Sequence, residues 1–252
     1  MFMEHFKINH QGDLDYFVAT NSFTHLLEAF QKLPKSKGQI IHVIGAPGTG
    51  KSTNIYQAIR QLNLNIYEVK IALPSTNLDS RNVFQLMLES IREDLGINSS
   101  EKILEHLRKY DAVLFADQFH DSHLIYPDKS GFSQWTDYKG FESLGFYPIC
   151  IYEYLKHREE FGNINMILQT AWRIRVKGEK RDIFTDIGPL SSLAVALMCL
   201  PFEMVKISYS EEETINIVKS HLNDADTDDI LKYINKYGRK PRFICHAIKT
   251  GL

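Results

Sequence analysis

The sequence predicts an α/β fold, a three-layer core on a five-stranded parallel sheet, with a small all-helical unit at its C-terminal end. Three observations carry that prediction. Apolar-rich runs at residues 40–44, 66–73, 112–116, 164–168 and 204–207 have the length and β-branched content of buried strands. Segments of helical periodicity separate them, and strands alternating with helices form a parallel sheet covered on both faces. Beyond residue 208 the strand pattern stops, and acidic, then amphipathic, segments of helical period take over.

Residues 1–20 read as an irregular lead-in that contains Tyr16, Phe17 and Val18. Asn21 or Ser22 can cap a helix running to Leu33, with Phe23, Leu26, Leu27 and Phe30 on one face. Residues 34–38, a Pro-Lys-Ser-Lys-Gly break, end it before the first strand. A helix over 53–62 precedes the second strand, which Pro74 stops. Val83, Leu86, Met87 and Ile91 mark an amphipathic helix ending near Gly96, and Ser99 or Ser100 can cap another over 101–110. Residues 126–152, dense in aromatics, Gly and Pro, read as a binding insertion between strands. Residues 172–181 read as a basic surface loop. Ser210-Glu211-Glu212-Glu213 is a helix start, because acidic side chains suit the first turn. Three short helices are expected after it, which divides the chain into a core with an N-terminal helix over 1–207 and a helical subdomain over 208–252.

Composition narrows the classes. Hydrophobic residues make up 44% and charged residues 24%, with a formal net charge of −2. No overall basic field draws the chain to nucleic acid. Cys150, Cys199 and Cys245 are three, too far apart for a zinc site or a disulfide framework, and Asp117, His120, Asp121 and His123 match no zinc spacing. The first residues lack the apolar core of a signal peptide, and residues 190–202 are too short to span a bilayer. The expectation is a cytoplasmic protein without a membrane partner.

The most specific feature is Gly45-Ala46-Pro47-Gly48-Thr49-Gly50-Lys51-Ser52-Thr53, which satisfies Gly-x4-Gly-Lys-Ser/Thr between a strand and a helix. Glycines let the backbone turn tightly and aim N–H groups at phosphate oxygens, and the helix N-terminus adds partial positive charge there. The expected ligands are ATP or ADP with Mg²⁺. Lys51 reaches the β- and γ-phosphates, and the Ser52 hydroxyl coordinates the metal. The fold is therefore expected to be that of a P-loop NTPase. Asp117, directly after the strand 112–116, is the second metal-binding candidate. Gln118 follows it, where hydrolysing relatives place a glutamate. An amide can orient water but cannot take its proton, which predicts slow hydrolysis.

On these motifs the chain resembles the AAA+ ATPases, closest to the branch of origin-recognition initiators and related archaeal-type ATPases, from about residue 20 onward. The resemblance implies that the loop is its Walker A, that Asp117 ends its Walker B strand, and that Gln169 or Thr170 is its sensor-1 residue. We carry Thr170 forward as the catalytic candidate beside Lys51, Asp117 and Gln118. Tyr237-Gly238-Arg239-Lys240-Pro241-Arg242 resembles the sensor-2 segment, so Arg242 is implied to reach the γ-phosphate from a helical lid. Arg173, Arg175 and Arg181 lie where ring-forming relatives carry an arginine that enters a neighbour's site, which implies a homo-oligomer. They also offer, with Arg239, Lys240 and Arg242, a phosphate-backbone contact face; a DNA or a protein partner is left open. Ten residues follow Arg242, and the expectation is a member lacking the winged-helix domain.

The functional expectation is thus an ATP hydrolase acting as a nucleotide-driven conformational switch or motor. The alternatives are a nucleotide or small-molecule kinase, which shares the phosphate loop, and a non-hydrolysing ATP-dependent scaffold associated with DNA.

Overall fold

The computed structural model describes residues 16–68, 89, 91–96, 105, 107–109, 111–116, 152, 155, 156, 162–170, 173–176 and 179–251. Its centre is a five-stranded sheet of β1 (Ile40–Ile44), β2 (Ile66–Glu68), β3 (Val113–Ala116), β4 (Met166–Thr170) and β7 (Glu203–Lys206), in the order β2-β3-β4-β1-β7. Every pairing in it is parallel. Parallel strands need both faces covered, and the burial follows that rule. Ile41, Val43, Phe115 and Ile167 lie in a core shared with the helices α1 (Asn21–Phe30) and α2 (Lys51–Leu62). Leu114, Met166 and Leu168, alternating with them along their strands, are equally buried. This is the P-loop NTPase-like α/β architecture that the apolar runs predicted.

α1 begins one residue before the expected caps: the Thr20 hydroxyl accepts from the Phe23 amide. Its apolar stripe of Phe23, Leu26 and Phe30 packs on α2 and β7. Each such side chain, fully buried, stabilises by roughly 1.5–3 kcal/mol relative to exposure. Asn165 fixes the α1–β1 connection. Its amide nitrogen donates to the Leu33 and Ser36 carbonyls at 2.7 and 2.9 Å, while its oxygen accepts from the Gln39 amide at 3.0 Å.

One stretch differs from the expectation. Within the stretch 172–181, read as a basic loop, and one residue beyond it lie two antiparallel strands, β5 (Arg173–Val176) and β6 (Glu179–Asp182), pairing Arg173 with Asp182 and Arg175 with Lys180. The apolar segment after Gly188 is a helix, α3 (Pro189–Met198), with proline at its start where a missing N–H costs nothing. β4 also runs two residues further than the apolar run, through Gln169 and Thr170.

The C-terminal part is three helices, α4 (Glu211–His221), α5 (Thr227–Tyr237) and α6 (Pro241–Thr250), around their own core of Val218, Ile230, Ile234, Ile244 and Ala247. Ser210 caps α4 in a reciprocal box with Glu213, as the acidic helix start predicted. The second oxygen of Glu213 accepts from the Asn21 amide at 2.8 Å, so one carboxylate caps α4 and ties it to α1. Burial raises the Glu213 pKa, but the hydrogen bonds from Ser210 and Asn21 outweigh it and hold the carboxyl below its ordinary value. No described helix is long and apolar enough to cross a membrane.

Candidate nucleotide site

β1 ends at Ile44 and the chain turns through residues 45–50 into α2. The turn needs glycine at defined points. A side chain on Gly45 would stand 2.8 Å from the Ile207 carbonyl oxygen and 2.9 Å from the Thr49 hydroxyl. Gly48 and Gly50 have φ of +84° and +73°, a region that favours glycine. The Thr49 hydroxyl donates to the Ala46 carbonyl at 2.8 Å, closing the loop on itself. Lys51 is buried at the head of α2, where its ammonium donates to the Gly45 carbonyl at 2.9 Å. Pro47 and Thr53 complete the predicted nine-residue loop, and Thr53 lines the cavity described below. The loop has the contour of an anion cradle: backbone where side chains would collide, at the N-terminus of a helix without an acidic first turn.

The register decides which face the polar end of β4 presents. Val43 pairs with Gln169 and Ile44 with Thr170. Alternation then sends the two side chains to opposite faces. Gln169, almost fully buried, accepts from the Ser52 hydroxyl at 2.8 Å through its side-chain oxygen. Thr170 is instead hydrogen-bonded to the buried His42, Oγ1 to Nδ1 at 2.8 Å. Burial lowers the His42 pKa to about 3, so the imidazole is neutral at ordinary pH, packed against Phe202 at a ring distance of 4.7 Å. Of the two sequence candidates, the structure brings Gln169 to the loop and turns Thr170 away from it.

Asp117, Gln118, His120, Asp121 and His123 lie outside the described residues, as do residues 126–151 of the expected insertion, Cys150 among them. β3 is described to Ala116, which pairs with Leu168. Arg173 and Arg175 lie on β5, and Arg181, half-buried on β6, has an interaction of its own. Among the described residues no group of His, Cys, Asp and Glu is placed to hold a metal ion by itself.

Sequence reasoning missed how the helical unit grips the loop. The Arg242 amide donates to the Gly48 carbonyl at 3.2 Å, and the Phe243 ring lies 3.4 Å from where a Gly48 side chain would start. Tyr209, between β7 and α4, donates its hydroxyl to the Thr49 carbonyl at 2.6 Å and accepts from the Asn54 amide at 2.9 Å. Burial pushes its phenol up to about 12, which keeps it a donor. Arg239 reaches the Tyr209 carbonyl at 3.4 Å. The Arg242 guanidinium itself is exposed, and no described residue pairs with it. It lines a cavity of about 310 Å³ whose walls include Gly48, Thr49, Gly50 and Thr53 on one side and Cys245 and Lys249 of α6 on another.

Strand order, glycine loop and helix placement define a P-loop NTPase-like protein. No protein-family model and no curated protein matches the chain. Among solved structures it is similar to the ORC2 protein of Aeropyrum pernix, solved as ADPNP–ADP complexes, with a TM-score of 0.51 and 13% sequence identity. The match covers 98% of this chain and 65% of that one, so the chain spans about two thirds of its neighbour's length. At that identity the likeness is one of fold.

Proposed function

We propose that the chain binds Mg·ATP in the loop of residues 45–53 and works as an AAA+-type nucleotide-driven switch whose helical unit, residues 208–252, is the lid. The observation that carries the reading is the shared cavity: the anion cradle and the guanidinium of Arg242, which no described residue pairs with, line the same space. The similarity to a protein solved with ADPNP and ADP supports it.

In this reading the loop amides and the α2 N-terminus hold the polyphosphate. Lys51 exchanges its bonds to the Gly45 and Ala46 carbonyls for phosphate oxygens. The described donors near the cation position, the Ser52 hydroxyl and the Gln169 carbonyl oxygen, are hard oxygens that suit Mg²⁺. Ser52 with Asp117 would hold the ion, which when bound neutralises phosphate charge. Gln169 reports on the γ-phosphate through Ser52, and we assign it that role in place of Thr170, whose hydroxyl His42 holds. Arg242 supplies a planar, permanently charged fork to the same oxygens. Gln118 orients water without deprotonating it, which makes turnover slow. Arg173, Arg175 and Arg181 on the β5–β6 hairpin are the candidates for contact with a second copy or with a DNA backbone.

The test is Mg·ATP binding and turnover by wild type and Lys51→Ala, with a circular-dichroism check of folding. Loss of ATP affinity in a folded variant is expected, and undiminished affinity would overturn the assignment.

A further inference from the structure

Of the seven large apolar side chains that stand exposed among the described residues, four are leucines of one short segment. They are Leu190, Leu193, Leu197 and Leu200, between 56% and 82% exposed. Steps of three, four and three residues set them in one row along α3. Leu200 lies past the helix end but stays in line, because its amide donates to the Leu197 carbonyl at 3.3 Å in a last tight turn. The other side of the helix is occupied: Ser191 and Met198 are buried, and α3 packs on β7. Both ends are fastened. The Ser191 hydroxyl accepts from the Ile187 amide at 2.9 Å, and just beyond the helix the Phe202 ring packs on His42. Single exposed leucines are ordinary, but this row presents on the order of 400 Å², as much as the largest patch on a typical monomer, and such patches mark interaction sites. A row already fixed on an anchored helix docks without the cost of ordering it first.

We infer that the leucine row of α3 docks a second copy of this chain, with the two helices antiparallel about a twofold axis through the middle of the row. The inference is independent of the nucleotide reading. Three observations select the occupant. Steps of three, four and three read the same in both directions, so the row turned end for end meets itself: Leu190 faces the second copy's Leu200, and Leu193 its Leu197. A twofold contact needs that self-complementarity, whereas a head-to-tail contact pairs two different surfaces. Next, no Asp, Glu, Lys, Arg or His occurs over residues 187–202. Two copies therefore meet without like-charge repulsion and without stripping water from an ion. The same stretch lacks the Lys and Arg that helices lying on a bilayer carry on their polar face, which disfavours a lipid surface. Finally, the leucines of two copies bury about 800 Å² together. Pro189, Ala196 and Cys199, exposed beside them, bring the contact toward the roughly 1,200 Å² at which specific interfaces begin. An interface of that size gives a reversible dimer at micromolar concentration.

The experiment is sedimentation velocity of the full chain without nucleotide, from about 1 to about 100 μM, joined to hydrogen exchange of the wild type at both ends of that range. Wild type should pass from one copy to two and stop there, and exchange should slow at the higher concentration in peptides covering residues 189–200. The double variant Leu193→Glu with Leu197→Glu should raise the dissociation constant at least about ten-fold, with an unchanged circular-dichroism spectrum. The volume-conserving pair Leu193→Met with Leu197→Met should keep the dimer. The exchange measurement needs no substitution, so it decides the matter even where the glutamate variant fails to fold. A wild type that stays monomeric throughout, or that grows beyond two copies, would overturn the inference. So would a dimer whose protection falls on another surface or that survives both glutamates. A monomer that pellets with phosphatidylcholine–phosphatidylglycerol vesicles would assign the row to lipid instead.

Discussion

His42 makes the protein's stability depend on pH in a way that can be worked out in advance. The ring is fully buried in β1 and its pKa is lowered from 6.5 to about 3, whereas in the unfolded chain it titrates near its ordinary value. Protons therefore bind the unfolded state better, and stability is complete above pH 6.5 and falls as the pH drops toward 3. The loss relative to pH 8 is RT times the logarithm of the ratio of the two binding polynomials. It comes to about 0.8 kcal/mol at pH 6 and about 2 kcal/mol at pH 5. At pH 5 the figure barely depends on the depressed value: a folded pKa of about 4 in place of 3 leaves it at about 2 kcal/mol. The paired measurement is urea unfolding of wild type and His42→Gln at pH 8, 7, 6 and 5. Glutamine has no charge to gain and retains groups that can bond Thr170. The wild-type curve should fall away from the variant's by these amounts. Parallel curves would show that His42 is not buried as described, and the β1–β4 register that places it against Thr170 would need revision.

Two other perturbations bear on the loop and the helical unit against it. Gly48→Ala places a methyl group 3.4 Å from the Phe243 ring at a φ of +84°, and a non-glycine residue in that region costs roughly 1–2 kcal/mol; thermal unfolding should register the loss, and ATP affinity should drop with it. Arg242→Ala should lower the ratio of ATP to ADP affinity by about ten-fold, the scale of a charge-assisted phosphate contact, and calorimetry that finds the ratio unchanged would remove Arg242 from the γ-phosphate.

The sheet and the phosphate loop were readable because both depend on local pattern: apolar runs of strand length, and glycines at fixed spacing before Lys51. What escaped depends on pairing. Gln169 and Thr170 read as the polar end of a strand, yet they are buried strand residues because Ser52 and His42, far away in sequence, meet their side chains. Only the register with β1 could tell which of them faces the loop. The hairpin of β5 and β6 was masked by charge, although Arg173-Ile174-Arg175-Val176 alternates with the strand period and a glycine, Gly178, follows it in the sequence. α3 carried a readable start in Gly188-Pro189, but its uncharged leucines offered no amphipathic stripe. Tyr209 and Phe243 gave no sign of their partners, since a tyrosine or phenylalanine in a helical tail is as much at home in the tail's own core.

The bond from the Arg242 amide to the Gly48 carbonyl joins two main-chain groups. No exchange of side chains can delete such a joint; among the twenty residues only proline at position 242 lacks the hydrogen it requires. A lineage could therefore replace the residues around the loop and the helical unit one after another while the main-chain link between them passed unchanged from one generation to the next.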